Sequence, residues 1–549
     1  MKKFILLPSL FVFAAACSQK NVPVSIGAKY HRPKLVIGIV VDQMRWDFLY
    51  RFYDVYKEDG GFKKLINRGF SCDNAFIPYT PTVTAAGHTC VYTGSVPALH
   101  GIISNEWYDK QTHSEVYCTE DSSVTVVGSE NKKAGAMSPR NMWASTITDE
   151  LRLATNFQSK TVGIAIKDRG AILPAGHTAN GAYWYDSKSG KFITSSYYNH
   201  KDLPDWVKHF NDRKIVDSLY ALDWNLFLTT ETYPKYCDND NVPYERKIAA
   251  DSNTAFPHLL RSYIGKDYGK ISFTPYGNTL TLEMSKAAIL GEQMGKSGYT
   301  DFLAVSLSSP DYAGHSFGPN SWELLDMYAR LDREIGNFLD FLDKQVGENQ
   351  YIVFLTADHG VAHIPGFLKE HRMPHGLIND DIIKNKLNSS IFKSTGLSEV
   401  VEGIYNYQVY LNEHIMDSAE ADLEAISDIV VQTLLSFEGV QMAFPLKEIS
   451  EAPLPSAVRE MILNGYSQTR SGHVQYIPKP AYIDGFPYGT THGLWNPYDA
   501  HIPLIFYGWQ IQHGKTNESV FMTDIAPTLA ALLHIQMPNT SIGRVVSMP

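Results

Sequence analysis

Cysteine is scarce in this 549-residue chain: five occur, and none lies in a C-x-x-C pair. A zinc site built on cysteines therefore has no sequence support. Long blocks of lysine or arginine are also missing, and the formal net charge is −10. A general nucleic-acid binder would carry a basic face, so no nucleic acid is expected as partner. That balance leaves room for one small basic pocket holding an anionic substrate. Internal repeats, low-complexity tracts and obvious linkers are absent. What remains is ordinary for a folded protein, with 44% hydrophobic and 19% charged residues. The length fits two to four domains, or one large α/β enzyme with insertions.

The N-terminus reads as an export signal. Lys2 and Lys3 supply the positive start, Phe4 to Phe13 the apolar core, and Ala14 to Ala16 the small residues before Cys17. The apolar run is too short for a comfortable membrane span. Small residues directly before a cysteine resemble a bacterial lipoprotein signal, which would make residues 1–16 the signal and Cys17 the lipidated mature end. The alternative is plain cleavage between Ala16 and Cys17, since position 14 is Ala where such signals usually carry Leu. A lipid anchor at Cys17 holds firmly only with several acyl chains. Export, to the periplasm or cell envelope, would permit disulfides. Cys72, Cys90, Cys118 and Cys237 could form two bonds in three pairings, or stay as buried thiols.

Four apolar runs end in chemically useful residues. Lys34 to Val41 ends at Asp42, and Thr161 to Ile166 at Lys167 and Arg169. Phe302 to Leu307 leads to Asp311, and Tyr351 to Leu355 to Asp358 and His359. Continuous apolar runs predict strands buried on both faces of a mainly parallel sheet. Ligands bind such sheets at the carboxyl ends of the strands, so four strands aim polar residues at one place. Between them, Trp322 to Lys344 has helical spacing, with Asn320 or Ser321 as cap and its acids on a solvated face. Thr523 to Leu533 predicts a packed C-terminal helix. The stretches from about 175 to 300 and about 365 to 480 read as insertions covering the sheet. Gly291 to Ser297 imitates a phosphate-binding loop but has three residues between its glycines where four are required, and it reads as a helix end and turn.

Asp311 and His315 stand four residues apart, which places them on one face of a helical turn. Asp358-His359, His492 and Asp42 complete a set of three aspartates and three histidines. Mixed carboxylate and imidazole ligands suit zinc, and two ions could share six such side chains. A two-metal site fits phosphoryl transfer, one ion serving the attacking oxygen and the other the leaving oxygen. Each residue alone is more often a surface or hydrogen-bonded group; their position after buried-strand patterns is what joins them.

These segments resemble the alkaline phosphatase superfamily. The resemblance is carried by Val40 to Asp47, by Pro81 to His88 through Gly101, by Asp311 to His315, by Ala357 to Gly360, by Thr491 to Gly493, and by His501 to Gly508 followed by Thr523 to Thr528. It runs from about residue 33 to 545. It implies an α/β fold with a central, mostly parallel sheet flanked by helices and inserted cap regions. It also implies two zinc ions per chain, one on Asp311, His315 and His492, the other on Asp42, Asp358, His359 and the Thr84 oxygen. Thr84 would be the nucleophile, forming a phosphothreonine; Thr80, Thr82 and Thr89 nearby read as turn or capping residues. No ligands for a third metal are identified. Thr84 stands at the start of a helical stretch from Ala85 to Thr93, where backbone amides favour anionic oxygen.

Thr84 together with Asn105, Lys167 and Arg169 resembles the PafA-type alkaline phosphatases, which are broad phosphate monoesterases. A monoester carries about two negative charges, so extra cationic donors favour it; Asn105 would donate an amide N–H, and Lys167 and Arg169 would meet the other oxygens. A strand-end salt bridge is the competing role for Lys167 and Arg169. The implied activity is that of a phosphoric monoester hydrolase acting on small phosphorylated substrates. Sulfatases need C-x-P-x-R or S-x-P-x-R, which is absent. Two alternatives stand: a nucleotide pyrophosphatase or phosphodiesterase on the same scaffold, and a noncatalytic metal-binding envelope lipoprotein.

Overall fold

The computed structural model describes residues 31–110, 112–198, 201–248 and 254–549. The signal-like segment and Cys17 lie outside the described residues. Pro33–Pro549 forms one compact unit.

The apolar runs become the strands of one ten-stranded sheet. In chain order these are β1 (Leu35–Val41), β2 (Phe70–Cys72), β3 (Val126–Val127), β4 (Thr161–Ala165), β5 (Gly181–Asp186), β6 (Lys191–Ser195), β7 (Asp301–Leu307), β8 (Tyr351–Thr356), β9 (Leu504–Gly508) and β10 (Gly514–Thr516). Their spatial order is β10-β2-β9-β8-β1-β7-β4-β5-β6-β3. The four runs read from the sequence are four neighbours, β8-β1-β7-β4, all parallel. Every residue of these four strands is buried, which is why they carry no polar alternation. Antiparallel strands close both flanks, β9 beside β8 and β6 beside β5.

Helices α1 (Thr84–Thr93), α2 (Asp168–Ala175), α3 (Ser309–Phe317) and α4 (Trp322–Gln345) surround the parallel strands. Ser321 caps α4, its hydroxyl accepting from the Leu324 amide. A C-terminal helix spans Ile525–Leu533. The segment at Gly291 is the end of helix Tyr276–Gly291 followed by a turn, with no phosphate-loop geometry.

Two expectations change. The region from about 175 to 300 is not wholly an insertion, because β5 and β6 belong to the main sheet. The region from about 365 to 480 does build its own four-stranded sheet, from Val401–Tyr405, Gln408–Leu411, Val474–Pro478 and Val440–Pro445, over a separate apolar core. The acids of α4 are not all solvated: Glu323, Asp326 and Asp332 are buried. Lastly, Cys72, Cys90, Cys118 and Cys237 are all free, buried thiols, with burial pushing Cys72 and Cys237 up to about 12.

Candidate active site

The carboxyl ends of β1, β4, β7 and β8 deliver Asp42, Lys167, Asp311 and Asp358-His359 to one buried cluster. Asp42 follows β1 directly, and Asp311 sits in the first turn of α3 with His315 one turn on. Lys167 is the residue before α2, so Lys167, Asp168 and Arg169 open a helix and do not alternate along a strand. Asp168 turns away to accept from Tyr117 Oη and Thr119 Oγ1.

Thr84 is the first residue of α1, a helix buried over all ten residues. Its side chain faces the cluster: Oγ1 lies 3.3 Å from Lys167 Nζ and 3.4 Å from His359 Nε2. The neighbouring threonines are committed elsewhere. Thr80, Thr82 and Thr89 donate to the carbonyls of Gly493, Leu494 and Ala85 at 3.0, 2.9 and 2.7 Å. Close packing fixes α1 against Asp358, since a Cβ at Gly87 would stand 2.4 Å from the Asp358 carbonyl oxygen.

Two groups of potential metal ligands share Asp311. One is Asp311, His315 and His492; the other is Asp42, Asp311 and His359, in each case with the ligand atoms within 4.8 Å of one another. His315 Nε2 is 3.2 Å and His492 Nε2 3.7 Å from Asp311 Oδ1. His359 Nε2 is 3.5 Å from both Asp42 Oδ1 and Asp358 Oδ2. Asp358 therefore stands beside the second group, in which Asp311 takes the place that the resemblance gave to Asp358.

The donor chemistry fits metal ions. All three histidines place Nδ1 on a backbone carbonyl: His315 on Thr490 at 2.8 Å, His359 on Gly360 at 2.9 Å, and His492 on Thr82 at 2.6 Å. Nδ1–H donation there leaves each Nε2 lone pair facing the cluster, the arrangement that orients metal-binding imidazoles. Burial lowers the pKa of His359, and burial with the neighbouring His359 and His315 lowers that of His492 well below the usual value. Both rings are therefore neutral donors near pH 7. Asp42 Oδ1 is buried and accepts no hydrogen bond, and Asp358 Oδ2 has only the His88 and His359 rings beside it, at 3.2 and 3.5 Å. Three buried carboxylates face one ammonium, so the cluster carries excess negative charge that a divalent cation would balance.

Lys167 Nζ is 2.7 Å from Asp42 Oδ2 and 2.6 Å from Asp311 Oδ2. Burial opposes its charge, but Asp311 and Asp42 outweigh this and hold its pKa above the usual lysine value. Burial also acts against the ionised form of Asp42 and raises its pKa, reinforced by Asp358. For Asp311, burial works in the same direction, but His315 and Lys167 prevail and keep it ionised. Asn105 accepts from the Ala85 amide through Oδ1 at 2.9 Å, which turns its amide N–H groups away from the helix end. Arg169 donates Nη1 to Tyr117 Oη at 3.1 Å, while its buried Nε has no partner.

Asp42, Lys167, Asp311, His315, Asp358, His359 and His492 thus gather in one cluster that Thr84 faces; Asn105 meets the start of α1 at the Ala85 amide, and Arg169 meets Tyr117 Oη. Sequence reasoning missed three others. Gln43 Nε2 donates to Asp311 Oδ1 at 2.6 Å. His88 places Nδ1 2.9 Å from the Thr84 carbonyl oxygen and 3.2 Å from Asp358 Oδ2, and Nε2 2.8 Å from Ser306 Oγ. Tyr312 puts its ring under the Lys167 ammonium, 5.3 Å from the centroid. Gln43, His88 and Tyr312 all lie inside or beside the quoted motifs, and adjacency was the only signal that could have marked them.

Comparison with known proteins gives a consistent assignment. Alkaline phosphatase PhoV of Synechococcus elongatus is 49% identical over 516 residues, 94% of this chain and 92% of its own. Alkaline phosphatase PafA of Elizabethkingia meningoseptica is 47% identical, with 94% of each chain covered. A crystal structure of alkaline phosphatase PafA superposes with a TM-score of 0.92 at 46% identity, over 94% of this chain and 99% of that one. A solved PafA variant carries substitutions at a threonine, an asparagine, a lysine and an arginine, at the same spacings along its chain as Thr84, Asn105, Lys167 and Arg169. A protein of Myroides odoratus named calcium-transporting ATPase is 47% identical over 97% of both chains. The family described as type I phosphodiesterase / nucleotide pyrophosphatase matches residues 36–491. With that span of match, these identities and this superposition, the chain belongs to the type I phosphodiesterase / nucleotide pyrophosphatase family, within the alkaline phosphatase superfamily.

Proposed function

We propose that this protein is a zinc-dependent alkaline phosphatase that hydrolyses phosphate monoesters of broad structure through a phosphothreonine at Thr84, releasing inorganic phosphate. It works outside the cytoplasm, in the periplasm or held at the envelope by a lipid on Cys17. The observation that carries the reading is the placement of Thr84 Oγ1, free of any carbonyl, 3.3 Å from Lys167 Nζ and 3.4 Å from His359 Nε2 at the start of α1.

Asp311, His315 and His492 would hold one zinc, and Asp42, Asp358, His359 and Thr84 Oγ1 the other. Two zinc ions there would supply Lewis acidity to the attacking and leaving oxygens and lower the pKa of the threonine hydroxyl. The chain's own part is positioning and electrostatics. Thr84, releasing its hydroxyl proton to solvent, attacks phosphorus while the bond to the leaving oxygen breaks, and the alcohol departs with a proton from solvent. Water then displaces the Thr84 oxygen, giving phosphate and the free hydroxyl. Lys167, close to Oγ1, and the α1 amides favour the negative oxygens in both halves. Asn105 would present its amide N–H and Arg169 its guanidinium fork to the nonbridging oxygens of a dianionic ester.

The high identity to two alkaline phosphatases favours monoesters; the nucleotide pyrophosphatase or phosphodiesterase reading rests on the description of the family and on weaker matches to phosphodiesterases that cover less than a third of the chain. The name of the Myroides relative is compatible with a protein that takes the terminal phosphate of ATP, and among the described residues no helix is long and apolar enough to cross a membrane. Hydrolysis of p-nitrophenyl phosphate and bis-p-nitrophenyl phosphate, after chelation and after zinc is returned, tests the reading. Faster, zinc-restored monoester turnover supports it, and preference for the diester defeats the roles given to Lys167 and Arg169.

A further inference from the structure

Gln43 follows the ligand Asp42 and has an unusual backbone. Its φ is +68°, in the left-handed region that glycine tolerates and a long side chain avoids. Such outliers persist where the surroundings over-determine them, and they gather at functional sites. Here the turn serves two hydrogen bonds from one residue. The Gln43 backbone N–H donates to Asp358 Oδ1 at 3.1 Å, and its side-chain Nε2 donates to Asp311 Oδ1 at 2.6 Å. Asp311 is the residue common to both candidate metal groups. Its Oδ1 faces His315 and His492, and its Oδ2 faces Lys167. The Gln43 amide therefore fixes the rotation of the one carboxylate that both groups use.

The room for this contact comes from α3. A Cβ at Gly314 would stand 1.7 Å from Gln43 Oε1. Gly314 is helical, lies between Asp311 and His315 in the motif, and has no positive φ that would require glycine. Its lack of a side chain is explained by the Gln43 amide passing over it. Gln43 itself is buried and uncharged, so it adds a donor to a cluster already rich in carboxylates without adding another negative charge.

We infer that Gln43 is a positioning residue, seated on Gly314, that locks the orientation of Asp311 and ties it to Asp358, so that the two metal groups keep a common geometry. This rests on the two-zinc reading above. Outer partners of metal ligands typically change metal affinity by about ten- to a hundredfold when removed.

The experiment measures zinc content and zinc affinity by chelator competition, with the Tm of the zinc-free protein, for wild type, Gln43→Gly, Gln43→Met, Gly314→Ala and the Gln43→Gly/Gly314→Ala double variant. Gln43→Gly keeps the backbone N–H and relieves the left-handed strain, so the zinc-free Tm is expected to hold or rise while zinc affinity falls about tenfold. Gln43→Met, of similar length but without a donor, should lose affinity equally. Gly314→Ala should match the Gln43 variants, and the double variant should be no worse than either single one, because both remove the same contact. Wild-type affinity in Gln43→Gly and Gln43→Met, or additive losses in the double variant, overturns the inference while leaving the two-zinc reading intact. A wild-type protein that binds no zinc overturns both.

Discussion

Two sets of buried acids occupy neighbouring parts of this molecule and are treated in opposite ways. Along α4, Asp326 accepts from Trp224 Nε1 at 2.8 Å, Arg330 Nε at 2.6 Å, the Phe227 amide at 2.6 Å and Tyr233 Oη. Asp332 accepts from the amides of Lys57 and Phe62, both at 2.9 Å. Each oxygen of these two carboxylates has a protein donor. At the carboxyl end of the sheet, Asp42 Oδ1 accepts no hydrogen bond, and Asp358 Oδ2 has only the His88 and His359 rings beside it. A buried acid with full donors staples loops to a helix; bare oxygens gathered with imidazoles in one cluster suit a cation that arrives from outside. Burial and residue type are alike in the two places, and α4 has bare oxygens too, on Glu323 and Glu334, so it is the gathering of carboxylates with histidines that separates chemistry from structure.

The comparison can be broken by experiment. Thr84→Ala should lower kcat for p-nitrophenyl phosphate by at least about a thousandfold, since it removes the attacking oxygen, while zinc content and Tm stay near wild type. A loss below tenfold would return Thr84 to the status of its neighbours. Lys167→Ala should reduce kcat/KM for the monoester by about a hundredfold and for the diester much less, because the dianion needs the ammonium more. Equal losses on both substrates would assign Lys167 to holding Asp42 and Asp311 together. Asp326→Ala should destabilise the fold by about 3 kcal/mol in denaturant unfolding, through the orphaned Arg330 and Trp224, with zinc content unchanged. Asp42→Asn should do the reverse, costing metal and sparing stability.

Asp499 sharpens the contrast as an intermediate case. Its Oδ2 accepts from the Leu494 amide at 3.1 Å, and its Oδ1 is bare. Burial pushes its pKa up to about 8. This folded value lies above the unfolded value of about 3.9, so the stability it contributes is whole at acid pH and drains away as pH rises towards 8. Asp499→Asn cannot titrate. Its Tm relative to wild type should climb between pH 4 and pH 8 and stay level above, a change of a few degrees. A pH-independent difference would mean that Asp499 is ionised throughout.

Much of the site could be read without coordinates, because chain order carried it. Strands β1, β4, β7 and β8 are continuous apolar runs, and Asp42, Lys167, Asp311 and Asp358-His359 come at or just beyond their ends. What could not be read depends on partners remote in sequence or on one backbone angle. Asp332 looked solvated because its donors, Lys57 and Phe62, lie 275 and 270 residues away. Lys167 and Arg169 were legible as the end of an apolar run, but not that a helix starting at Asp168 sets their directions. Strands β5 and β6 were hidden in a region rich in tyrosine and asparagine. Gln43 was invisible as a donor because only its left-handed turn aims it at Asp311 and Asp358.

The four buried thiols have a consequence for how the enzyme is made and kept. Cys72, Cys90, Cys118 and Cys237 are each enclosed, and burial disfavours their reactive thiolate forms. The described cysteines call for neither a disulfide-forming oxidant nor a disulfide isomerase in reaching this state. The same fold should assemble in a reducing cytosol and in an oxidising envelope, and reductants in storage buffers should leave its activity untouched.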